Sequence, residues 1–234
     1  MGDTKLVIIA GIGPGLSTSL AKTFAVKGYK VGGLARRAEH LEALEADLGS
    51  ENFTGITTDL TDLDQAKKAH TTLEQKFGPT TVYVHNATSL LVKPFLEISG
   101  EEFETIWRSA VMTAFNGAQA VLPGMVERNN GSFLVTGATA AMRGGPNFSA
   151  FASAKFALRG LTQSLARQFG PEGVHVAHVV IDGVIWGASA KRYEVAREKC
   201  LEPDHIAETY LQLAQQPRSC WTHEIDIRPN SESF

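Results

Sequence analysis

The sequence predicts an α/β fold in three layers, a doubly wound parallel sheet of about seven strands with helices on both faces. Two observations carry that expectation. Short apolar runs rich in β-branched residues alternate with longer amphipathic segments, beginning with KLVIIA at residues 5–10, helical spacing over 16–27 and a second run at 29–34. The run VHVAHVVI at 174–181 reads as a continuous apolar strand, as burial on both faces of a parallel sheet requires.

The remaining elements follow the same alternation. Strands are predicted over 53–57, 81–86, 132–136 and 223–227, and helices over 39–48, 63–77, 101–126, 148–169 and 204–215. No Pro/Ser-rich linker, repeat or low-complexity stretch offers a cut, so residues 1–234 read as one domain. Residues 184–203 lack clear periodicity. They follow a strand, where loops form the ligand crevice of open α/β sheets, and are expected to form the substrate loop.

Composition narrows the classes of function. With 43% hydrophobic and 20% charged residues, the chain is that of an ordinary globular protein. Its net charge of −3 is spread without a basic run, which leaves no electrostatic footprint for nucleic acid or an anionic membrane. Cys200 and Cys220 have no Cys/His spacing around them, so plain thiols are expected and no metal site. The opening MGDTKLVIIAGIG has an apolar run too short for a signal sequence or a bilayer span, and a cytoplasmic protein is the expectation.

Between the first strand and its helix lies GIGPGLS. Glycines at 11, 13 and 15 let the chain turn tightly and let backbone N–H groups around Leu16 approach a pyrophosphate. The second strand runs into Ala35, Arg36 and Arg37, where an NAD site would place an acid. Guanidinium forks pair with phosphate oxygens, so this pair favours NADP(H) over NAD(H). A tight turn without a ligand and two solvated arginines are the alternatives that these residues leave open.

These landmarks, with four more in order, resemble the short-chain dehydrogenase/reductase family over nearly the whole chain. GIGPGLS is similar to the family's TGxxxGxG turn, with Gly11 and Gly15 on its first two glycines and Ser17 in place of the third. TDLTD puts Asp59, with Leu60 after it, where the family contacts adenine, and HNAT puts Asn86 and Ala87 on its NAG motif. FASAKFALRGLTQSLA resembles the signature helix YxASKxAxxGLTxSLA, and VVIDGVI resembles the PG segment, with Asp182 for Pro and Gly183 and Ile185 beside the cofactor. The resemblance implies a Rossmann-type sheet, nicotinamide dinucleotide binding and assembly as a homodimer or homotetramer through the long helices that carry Trp107 and Phe156.

It also implies catalysis by Tyr, Lys, Ser and Asn. A phenol is a poor acid at neutral pH until a neighbouring ammonium stabilises its phenolate. Lys155 stands at the Lys position, but Phe151, Ala138 and Ala110 stand at those of Tyr, Ser and Asn. Thr139 is a substitute hydroxyl if the loop rotates by one residue, and Tyr193 is a phenol in the substrate loop. Asn116 and Gln119 receive no role, and His85 is expected to be a satisfied core histidine. Two functions follow as expectations: an NADP(H)-dependent oxidoreductase of a small carbonyl or alcohol with an atypical proton donor, or a catalytically impaired NADP(H)-binding protein acting as redox sensor or partner subunit.

Overall fold

Strand β1 (Lys5–Ala10) is apolar at successive positions because both of its faces are covered. Leu6, Ile8 and Ala10 enter one core while Val7 and Ile9 enter the other. The computed structural model describes residues 5–232, so residues 1–4 of the opening segment lie outside the described residues. The chain continues through α1 (Leu16–Val26), β2 (Tyr29–Ala35), α2 (Glu39–Leu48), β3 (Phe53–Thr57), α3 (Leu63–Phe77) and β4 (Thr80–His85). Then follow α4 (Gly100–Trp107), α5 (Thr113–Glu127), β5 (Gly131–Thr136), α6 (Ser149–Phe169), β6 (Val174–Ile181), α7 (Ala188–Arg192), α8 (Pro203–Ala214) and β7 (Glu224–Ile227).

The result is a single-domain α/β fold with one parallel sheet in the order β3-β2-β1-β4-β5-β6-β7. Helices α3, α5 and α6 cover one face and α1, α2 and α8 the other. The chain leaves β3 at one edge and re-enters beside β1 as β4, so the order reverses between β1 and β4. Loops at the carboxyl ends of those strands diverge to opposite faces and open a crevice there.

Two elements differ from the sequence expectation. The helix expected over 101–126 is α4 and α5 joined by a π-helical turn, Arg108–Met112. Its cause is competition for carbonyls: His85 Nε2 lies 3.0 Å from the Ala110 oxygen, and the Thr113 hydroxyl donates to Ser109 at 2.8 Å. The 184–203 stretch is not irregular throughout. It holds α7, too short to reveal a period, and is pinned by an isolated bridge between Ile185 and Leu201. Among the described residues, no helix is long and apolar enough to cross a membrane.

Candidate cofactor and active site

The turn after β1 is held from three sides. Gly11 and Ile12 both donate to the Leu34 carbonyl, at 2.8 and 3.0 Å. Gly11 has φ +93°, and a Cβ there would sit 2.6 Å from the backbone of Ala87, so only glycine lets the first and fourth strand ends close on each other. Ser17, which replaces a glycine of the family pattern, laces the turn internally. Its hydroxyl accepts from Gly13 N–H at 2.8 Å and donates to the Gly13 carbonyl at 2.9 Å.

This lacing assigns the role of Gly13. The Gly13 N–H is spent on Ser17, so Gly13 contributes room rather than a donor. The N–H groups left for a ligand are those of the first turn of α1, around Gly15 and Leu16, which no side chain caps. Space beside Gly13 and Gly15 is open, with no protein atom within 4 Å of where a Cβ would stand. The bend is therefore not plugged by protein, and a cavity of about 320 Å³ lies against it.

That cavity gathers the residues expected for a dinucleotide. Gly11, Gly13, Arg36, Arg37, Asp59, Leu60, Asn86 and Ala87 all line it, and so do His40, Thr58 and Ser109, which sequence reasoning missed. Asp59 holds its own loop: one carboxylate oxygen accepts from the N–H and the hydroxyl of Thr61, at 2.9 and 2.8 Å. The next residue is fixed by Asn116, whose buried amide donates to the Leu60 carbonyl at 2.9 Å. Asn116 is thus a positioning residue for this wall. A polar side chain at a core-facing step of α5 was the available signal.

Pro14, Asn86 and Thr88 border this cavity and a second of about 830 Å³, so the two form one trough across the carboxyl edge of the sheet. The second is walled by Phe148, Phe151, Trp186 and Tyr193, with Leu16, Gly183 and Ile185 also at its surface. Lys155 lines it too, although only 2% exposed. Its ammonium donates to the Thr136 carbonyl at 2.9 Å and lies 5.6 Å from the Phe151 ring centre. Burial in this apolar surrounding pulls the Lys155 pKa down to about 8.

Three further residues have partners that the sequence did not reveal. Ala110 is fully buried and lines neither cavity; its carbonyl faces His85 instead. His85 is buried as expected but only half satisfied, because Nδ1 has no partner. Desolvation, with Lys155 nearby, pushes its pKa down to about 3 and keeps the ring neutral. Thr139 does reach the second cavity, yet its hydroxyl donates to Asp182 Oδ1 at 2.5 Å. Asp182 is a buried carboxylate with Arg143 at 3.4 Å and Arg228 at 3.1 Å. Thr139 is therefore not a free donor replacing the family's Ser.

Comparison with known proteins agrees with this architecture. A sequence model described as short chain dehydrogenase matches residues 5–193. A short-chain dehydrogenase structure from Rhodopseudomonas palustris is 32% identical, covers 96% of this chain and 98% of its own, and superposes with a TM-score of 0.83. An alcohol dehydrogenase from the archaeon Thermococcus sibiricus, solved with 5-hydroxy-NADP, is 23% identical over 99% of each chain with a TM-score of 0.88. An uncharacterized oxidoreductase of Staphylococcus aureus strain USA300 is 24% identical over 96% of this chain and 97% of its own.

Proposed function

The chain belongs to the short-chain dehydrogenase family, and from that premise we propose an NADP(H)-dependent oxidoreductase acting on a small carbonyl or alcohol. The observation that carries the reading is the single trough that runs from Arg36 and Arg37, past the open first turn of α1, to Lys155. Its basic end suits a 2′-phosphate, where two guanidinium forks accept the additional charge. The uncapped start of α1 suits the pyrophosphate. The wall of Asp59 and Leu60, fixed through Thr61 and Asn116, suits adenine.

When bound, the nicotinamide cofactor supplies or takes up the hydride. Lys155 has ammonium protons beyond the one given to Thr136, and these suit ribose hydroxyls. Phe148, Phe151 and Trp186 give the reacting end apolar walls. Proton transfer falls to Tyr193, to Lys155 or to water, because Phe151 carries no proton and the Thr139 proton is held by Asp182. The reading includes cytoplasmic operation. It also includes assembly as a homodimer or homotetramer, which the exposed Phe115 and Phe156 on α5 and α6 support.

A second reading has its own observation. With Phe151 one turn before Lys155 and Ala138 beside Thr139, the chain suits an impaired NADP(H)-binding protein serving as redox sensor or partner subunit. Oxidation of NADPH by a panel of carbonyls separates the two, measured for wild type and for Phe151→Tyr combined with Ala138→Ser. Wild-type turnover above background is the expected result. Activity in the double variant alone supports the binding protein.

A further inference from the structure

The Lys155 ammonium has little to hold its charge. Among the described residues it makes one hydrogen bond, to the Thr136 carbonyl at 2.9 Å, and no carboxylate pairs with it. Its titratable neighbours, His85 and His178, are kept neutral by burial. The family pattern sets a phenol one turn earlier on α6; here that place is Phe151, whose ring centre lies 5.6 Å from Nζ and offers no oxygen. The pKa of about 8 leaves Lys155 a share of neutral amine at pH 7 on the order of 100-fold that of an ordinary lysine.

The amine also has ligand space beside it. Thr136, whose carbonyl it meets, and Phe151, whose ring it faces, line the 830 Å³ cavity together with Lys155 itself. Phe148 and Trp186 add apolar wall, and Tyr193 brings a phenol to the same space. We infer that, when no dinucleotide is bound, Lys155 is a nucleophile that captures an aldehyde on an aromatic or other apolar body as a reversible imine. This activity is separate from hydride transfer, and only its exclusion by bound cofactor rests on the reading above.

The neutral Nζ adds to the aldehyde carbon, so that an N–C bond forms as the C=O π pair moves to oxygen. That oxygen takes a proton from Tyr193 or water, and the nitrogen gives one up to water. The carbinolamine then expels its hydroxyl as water while the nitrogen lone pair forms the C=N bond. No oxidant or reductant takes part, and hydrolysis runs the same steps backward. The walls of Phe148, Phe151 and Trp186 receive the apolar body of the aldehyde.

The test is reductive trapping on the full chain at pH 7, with benzaldehyde and sodium cyanoborohydride, followed by peptide mass spectrometry. A benzyl group is expected on Lys155 about tenfold faster than on the exposed Lys67 and Lys68, because the gain in neutral amine is partly offset by its lower basicity. Phe151→Tyr is expected to slow trapping at Lys155 about tenfold and to leave Lys67 and Lys68 unchanged, since a phenol beside the amine stabilises the ammonium. Intact mass of Lys155→Arg, or of Lys155→Met should that variant not fold, is expected to show one benzyl group fewer. Modification of surface lysines alone, an adduct at Lys155 formed no faster than theirs, or equal trapping in Phe151→Tyr each overturns the inference. NADPH, its binding read by fluorescence in the same samples, is expected to protect Lys155. Bound NADPH without protection also overturns the inference, whereas no binding of NADPH overturns the cofactor reading alone.

Discussion

Lys155 Nζ and the Thr136 carbonyl oxygen are 2.9 Å apart, which ties α6 to the carboxyl end of β5 and leaves a cation in a site only 2% exposed. A buried ammonium is costly unless it serves a ligand, and its pKa of about 8 reports that cost.

The sign of the effect on stability follows from that value. The unfolded lysine titrates near 10.5 and the folded one near 8, so folding releases a proton between these values and stability falls as pH drops through that window. At neutral pH the penalty is fully present. Lys155→Met is therefore expected to raise the unfolding free energy at pH 7 by about 2 kcal/mol while it weakens NADPH binding. Urea denaturation at pH 7 and again at pH 10.5 checks it, since the gain should shrink at the higher pH. A variant no more stable than wild type at pH 7 contradicts the assignment.

Four histidines set the acid side. Burial lowers the pKa of His70, His85, His175 and His178, with His85 at about 3. Their stabilisation is fully present above the unfolded value near 6.5 and is lost as pH falls below it, because the unfolded chain takes up protons that the folded chain refuses. Between pH 6.5 and 5, His85 alone is expected to remove about 2 kcal/mol. Thermal unfolding over this range should show a falling midpoint, with a shallower fall in His85→Leu. A flat profile contradicts the burial of these rings as neutral groups.

At Gly11 the constraint is steric. Gly11→Ala forces a positive φ on an L side chain and drives its Cβ into Ala87. A loss of about 2 kcal/mol or more is expected, with NADPH binding weakened because the turn and the HNAT segment separate. Gly13→Ala has open space at its Cβ, and should fold normally while crowding the ligand. Equal stabilities for the two variants contradict the packing described.

Much of this site was legible in the sequence because it rests on strand ends. A parallel sheet fixes where β1, β2 and β4 terminate, so Gly11, Arg36 and Asn86 converge whatever the loops do. Lys155 was legible through its place in FASAKFALRGLTQSLA, which resembles the family's signature helix. The Asp182 network was not, because it joins Thr139, Arg143, Asp182 and Arg228 from segments distant in sequence, and no spacing rule connects them. The π-helical turn was equally hidden: it arises from the bond between His85 and the Ala110 carbonyl, a tertiary contact between β4 and the helix. Asn116 lay within an apolar helical pattern, and its partner is a backbone carbonyl, which carries no residue-type signal.

In the proposed function the trough holds a nicotinamide dinucleotide with its 2′-phosphate against Arg36 and Arg37. Equilibrium titration of NADPH and NADH, in wild type and Arg36→Ala, decides it. Micromolar binding of NADPH is expected, with Arg36→Ala weakening NADPH about tenfold while NADH changes little, the worth of one bidentate phosphate pair. Equal weakening of both removes the phosphate role, and no binding of either dinucleotide contradicts the account as a whole.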